Sequence, residues 1–156
     1  MEQRAIYEDN MVYLKVRGIC TMAHIFWIKE YSVGVELLDE QHRYFLHLLD
    51  ELFDAIVSLE TEKRIGDIIV RLAEHTKTHF LTEEKYFDAF GYEYADEHKQ
   101  RHKDLLAKIA TFQASYNEGK MDIASEMVEF LEEWMIDHIM KVDKKYVRCF
   151  NEHGLH

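Results

Sequence analysis

The chain has 156 residues, enough for one domain with a sizeable core, and its 47% hydrophobic and 31% charged content is that of an ordinary globular protein. A net charge of −11 argues against nucleic acid or an anionic membrane as partner, since both require clustered Lys and Arg, and no run approaches the roughly 18 apolar residues of a membrane span. Proline is absent and glycine occurs only six times, which removes most turn punctuation and favours long helices.

Residues 1–21 stand apart. "MVYLKVRGI" alternates apolar and polar residues like a strand, yet no second strand is evident to pair with it, so the segment reads as a loosely attached extension preceding a domain over 22–156. Charges at Glu2, Arg4, Glu8 and Asp9 leave no apolar stretch for a secretory signal, and a cytoplasmic location is expected. Cys20 and Cys149 are too few and too far apart for a disulfide framework and read as free thiols.

Four periodic segments follow. Leu38, His42, Phe45, Leu49, Leu52 and Ile56 recur at helical spacing and predict a helix over about 37–60. Ile65, Ile68 and Leu72 open a second over about 64–90, ended by Gly91. A third, about 93–117, sets Tyr94, His98, His102, Leu105, Ile109, Phe112 and Tyr116 on one side and stops before Gly119. A fourth runs from about 122 into the 140s with Met127, Leu131, Trp134 and His138 in register. Helices of this length joined by short loops imply an all-α fold, an up-down-up-down antiparallel four-helix bundle with a non-helical N-terminal arm.

His42, His79, Glu83, His98, His102 and His138 all fall on the stripe that should be apolar. One inward histidine is commonly a hydrogen-bonded core residue, but five and a carboxylate drawn from all four helices are another matter. Each buried polar group without a partner costs about 1–3 kcal/mol, and the sum would rival the roughly 5–15 kcal/mol that holds a domain together. Metal compensates such groups jointly. His79 and Glu83, and His98 and His102, are i, i+4 pairs about 6 Å apart on one helix face, the reach at which two side chains meet one ion. Nitrogen and carboxylate donors in excess of four suggest octahedral iron or manganese, and two ions, over tetrahedral zinc.

The segments "WIKEYSVGVELLDEQH" (27–42), "HFLTEE" (79–84), "HKQRH" (98–102) and "WMIDHIMKVDKKY" (134–146) resemble the signature segments of the hemerythrin family in its single-domain bacterial form. The resemblance implies two iron ions with an oxo or hydroxo bridge. It places His98, His102 and His138 on a saturated iron and His42 and His79 on an iron with one open position, with Glu83 and Asp143 as bridging carboxylates. Asp143 enters on the resemblance alone. It lies five residues after His138, about 140° round an ideal helix, and would need a local widening of the helix or a reach from the flank; otherwise it is an exposed aspartate beside Lys144 and Lys145. His75 reads as a core residue or a neighbour of the ligands, His47 lies off the seam, and His24, His153 and His156 read as solvated.

The resemblance further implies reversible dioxygen binding, as a carrier, store or delivery protein and not an enzyme. Seven ligands supply only two negative charges, whereas bundles built for oxidative chemistry use mostly carboxylates. The family's pocket positions are filled by Phe45, Phe80, Trp134, Met135 and Ile139, with Trp27 and Tyr146 as aromatic support. Dioxygen is the expected partner, with a monomeric state and an unidentified oxygen-consuming enzyme downstream. Two alternatives stay open: a diiron oxidase, peroxidase or nitric-oxide-handling enzyme, and an oxygen or iron sensor module.

Overall fold

Four helices run in the registers just read. In the computed structural model they are α1 (Glu36–Val57), α2 (Glu62–Phe90), α3 (Ala95–Asn117) and α4 (Ile123–Lys141), followed by a 3₁₀ turn at Asp143–Lys145 and a short α5 (Val147–Glu152). The structure describes the backbone of residues 5–8, 11–16 and 19–25 and all of residues 26–156. The helix α1 packs against α2 and α4, and α3 closes the bundle between those two.

The N-terminal arm is non-helical, and here one expectation is corrected. The strand over Met11–Val16 (β2) does have partners: Ala5–Glu8 (β1) and Ile19–Ile25 (β3) pair with it on either side, antiparallel, in the order β1-β2-β3. Neither connection in the sequence carries a turn dipeptide of the kind that announces a hairpin. The side chains of Cys20 and His24 lie outside the described residues; Cys149 is a free thiol.

Local chemistry sets the helix ends. The Thr61 hydroxyl accepts from the Arg64 N–H at 3.3 Å and starts α2. Gly91, at φ +64°, ends it in the left-handed conformation that glycine adopts without steric cost. No side chain caps α1; instead the buried Asp39 carboxylate accepts from the Val33 N–H at 2.8 Å and from the Ser32 hydroxyl, pinning the approach to the helix. Tyr94 departs from its expected place. It is the residue before α3, outside the helix, and is 47% exposed, so the inward stripe begins at His98.

The interior is divided along its length. Leu52, Ile68, Leu72, Ile109, Met127 and Leu131 fill one half with apolar side chains. The other half is bounded by the start of α1, the end of α2, the start of α3 and the end of α4, and there the polar residues of the inward stripes meet. Among the described residues no helix is long and apolar enough to cross a membrane.

Candidate metal centre

The antiparallel order brings His42 from α1, His79 and Glu83 from α2, His98 and His102 from α3, and His138 from α4 to one level of the bundle, all buried. Asp143 joins them. No widened helical turn carries it there: α4 ends at Lys141, Val142 leaves the helix at φ −112° and ψ −58°, and the tighter 3₁₀ turn swings Asp143 inward, fully buried. The Lys144 ammonium bonds the Ser32 carbonyl and holds this turn to the loop before α1.

The five imidazoles turn Nε2 toward the two carboxylates, and the carboxylates divide them. Glu83 directs Oε1 at His79 (3.6 Å) and Oε2 at His98 (3.6 Å) and His102 (3.2 Å). Asp143 directs Oδ2 at His42 (3.4 Å) and Oδ1 at His98 (3.2 Å) and His138 (3.1 Å). Each carboxylate thus presents one oxygen to the pair His42–His79 and the other to the trio His98–His102–His138. Within each set imidazole nitrogens approach closely: His42 Nε2 to His79 Nε2 is 3.1 Å, and His98 Nε2 to His138 Nε2 is 3.1 Å. Two ligand bonds of about 2.1 Å at a right angle place their donor atoms about 3.0 Å apart.

The residues fit metal on a second count. Glu83 Oε2, both oxygens of Asp143 and Nε2 of His102 are buried with no hydrogen-bond partner. Orphaned acceptors at this depth are costly unless a cation satisfies them. Two groups able to hold an ion emerge, Glu83 with His98, His102 and His138, and Glu83 with His42 and His79.

Electrostatics within the cluster follow the same contacts. Burial opposes ionisation of both carboxylates, yet the surrounding imidazoles hold Glu83 below its ordinary value and Asp143 well below it. Burial lowers His79 to about 3, outweighing the pull of Glu83. Burial also works against His98, but the Asp143 and Glu83 carboxylates beside it raise it to about 9. The buried Tyr146 hydroxyl donates to Glu83 Oε1 at 2.6 Å, and burial next to the two anions keeps its proton on.

Aromatic rings hold the imidazoles in place. Phe80 stacks on His102 with ring centroids 3.7 Å apart and also lies 5.7 Å from His79. Trp134 stacks on His138 at 4.1 Å, and so covers the trio more than the pair. Trp27 lies 6.4 Å from His42 and carries the Arg43 guanidinium on its face. Phe45, Phe80, Met135 and Ile139 are buried, and Trp134 is half-buried.

Two residues that hydrogen-bond the cluster's imidazoles through their side chains escaped the sequence reading. Gln41 accepts from His79 Nδ1 through its side-chain oxygen at 2.8 Å, and Glu84 accepts from His102 Nδ1 at 2.9 Å. Each is adjacent in sequence to a cluster residue, in "QH" and "EE", but serves a residue on a neighbouring helix. His75 stays out of the cluster: its Nε2 donates to the Gln41 carbonyl at 2.8 Å and its ring packs edge-on against Tyr44.

Comparison with known proteins agrees with this arrangement. The Hemerythrin HHE cation binding domain matches residues 33–150. A bacteriohemerythrin of Stenotrophomonas maltophilia is 27% identical over 132 residues, covering 85% of this chain and 85% of that protein. Myohemerythrin-1 of Phascolopsis gouldii is 31% identical over 120 residues, covering 77% of this chain and 89% of that protein. The crystal structure of wild-type hemerythrin superposes with a TM-score of 0.75 at 27% identity, over 80% of this chain and 96% of that one. With a matching family domain over most of its length, the chain belongs to the hemerythrin family.

Proposed function

We propose that the chain binds dioxygen reversibly at a diiron centre held by His42, His79, Glu83, His98, His102, His138 and Asp143. The observation that carries this reading is the division made by the two carboxylates. Each offers one oxygen to the pair and one to the trio, so the trio's ion receives five protein donors and the pair's ion four. A shared oxo or hydroxo bridge would then complete six-fold coordination at the first and leave one position at the second. Iron bound there supplies the reversible electron transfer that oxygen uptake and release require.

The chain's own residues do the rest. Phe45, Phe80, Met135 and Ile139 are buried apolar side chains, and with Trp134 they form the proposed oxygen pocket, which excludes water and offers no acid or base. Tyr146 holds Glu83 by one oxygen, and its raised pKa keeps it a donor. The rings of Phe80 and Trp134 fix the planes of His102 and His138. An environment built to keep protons away favours return of the oxygen over its reduction, so we read the protein as a cytoplasmic carrier, store or delivery protein for an oxygen-consuming partner, and not an enzyme.

The test is to load the full chain with iron anaerobically, reduce it, and follow its absorption through several rounds of oxygenation and deoxygenation. The reading expects about two irons per chain and a spectrum that returns in each round. A single zinc without iron uptake, or rapid sustained oxygen consumption when reductant is supplied, overturns it.

A further inference from the structure

With Nε2 of every imidazole in the cluster directed inward, Nδ1 is left to be held from outside, and the partners found there differ. Nδ1 of His102 donates to the Glu84 carboxylate at 2.9 Å. Nδ1 of His79 donates to the neutral amide oxygen of Gln41 at 2.8 Å. Nδ1 of His42 and of His98 has no hydrogen-bond partner. The Gln41 amide is oriented on both sides, its nitrogen reaching the Thr82 hydroxyl at 3.5 Å, while its backbone carbonyl accepts from His75. Anion and amide thus act on opposite sets of ligands, Glu84 on the trio and Gln41 on the pair.

We propose that Glu84 and Gln41 are positioning residues that make the two metal positions unequal, Glu84 strengthening the trio and Gln41 keeping the pair the weaker, more easily reduced position. The inference rests on the dimetal reading above. A carboxylate at Nδ1–H draws the proton toward itself and pushes electron density to Nε2, so His102 becomes the stronger donor and favours the more highly charged ion. An amide fixes the ring and its tautomer equally well but adds no charge. The pair therefore releases its ion first, and the trio holds the oxidised state longer.

The test compares the parent with Glu84→Gln, Gln41→Glu and Glu84→Ala. Cobalt(II) titration of the metal-free chain reads affinity at each position, and electrochemistry of the iron-loaded chain reads the potential. Glu84→Gln keeps an acceptor oxygen and removes only the charge. It should weaken the tighter position about 10-fold or more, as changes to such outer partners do, and move the potential upward. Gln41→Glu should act with the opposite sign on the weaker position, slowing loss of its ion to a chelator and moving the potential downward. Glu84→Ala, which loses charge and hydrogen bond together, should exceed Glu84→Gln in effect. If Glu84→Gln matches the parent in both affinity and potential, or both charge changes shift the potential the same way, the inference is overturned while the dimetal reading stands. A parent that takes up fewer than two cobalt ions overturns both.

Discussion

Tyr146 gives its hydroxyl proton to Glu83 Oε1 across 2.6 Å, both groups fully buried, and so fixes the carboxylate that faces both sets of histidines. A hydrogen bond to a charged acceptor contributes about 1.5–3 kcal/mol, and its loss leaves Glu83 short of a donor. Tyr146→Phe should lower stability by about that amount. Thermal unfolding of parent and variant, each loaded with metal, checks it; equal midpoints would mean that the bond contributes nothing net. Because burial and the two anions raise the phenol, no phenolate absorption should develop at alkaline pH until the chain unfolds.

Glu132 is a buried acid on α4 that lies outside the cluster. It is 1% exposed, its Oε2 has no hydrogen-bond partner, and burial together with Asp50, Glu129 and Glu133 pushes it from 4.5 up to about 8. The folded state therefore holds a proton that the unfolded chain has lost between those two values. Stability from this group is complete below pH 4.5 and falls as pH rises through about 8. The slope is at most about 1.4 kcal/mol per pH unit. Glu132→Gln removes it, so the variant should gain on the parent in melting temperature between pH 5 and pH 8. A constant difference across that range would rule out a protonated Glu132.

The positions that could be read from sequence and those that could not differ in physical kind. His42, His79, Glu83, His98, His102 and His138 lie on regular helices, where a 3.6-residue period alone decides which side faces inward. Asp143 lies where the chain has left α4 for a 3₁₀ turn, so helical phase cannot place it, and only the resemblance did. Gln41 and Glu84 sit one residue off the inward stripe, and what they hold depends on a neighbouring helix. Glu132 falls between the stripe positions Leu131 and Met135 and is buried with no polar partner for its Oε2. Tyr94 has the spacing to His98 of an inward residue, but it precedes the first turn of α3 and never enters the helix. The pairing of β1 and β3 with β2 is likewise a tertiary fact that alternation in one strand cannot supply.

Leu59 marks a local cost in the turn between α1 and α2. It adopts φ +54° and is 88% exposed, so it pays for a left-handed backbone without burying its side chain. That conformation costs an ordinary L-residue about 1–2 kcal/mol, and glycine gives back only part of the gain as extra freedom in the unfolded chain. Leu59→Gly or Leu59→Asn should raise the melting temperature by about 2–4 °C, the shift that 1 kcal/mol produces in a domain of this size. Metal content should be unchanged, since the turn lies at the end of the bundle away from the cluster. A lower melting temperature in both variants would show that the leucine is held by contacts that outweigh its backbone cost.

The pocket gives the sharpest separation between carrier and enzyme. Ile139 is 1% exposed, follows His138 directly, and lies on the inward side of α4 with Met135. A carboxyl introduced at this depth loses hydration, the same burial that raises Glu132 on this helix and favours the neutral acid. Ile139→Glu would thus bring a proton donor into a wall that otherwise has none. In the proposed carrier, a proton supplied there would let the oxygen leave as hydrogen peroxide with the electrons that the iron had given it. A positioned general acid accelerates such a step by about 10²–10⁴-fold, so the oxygenated form of the variant should decay at least an order of magnitude faster than that of the parent. Ile139→Gln, similar in size and polarity but without an acidic proton, should decay more slowly than Ile139→Glu. Decay is read as the loss of the oxygenated absorption band, with hydrogen peroxide assayed in parallel. If the glutamine and glutamate variants decay alike, admission of water and not protons governs the lifetime, and the apolar wall serves to keep the centre dry.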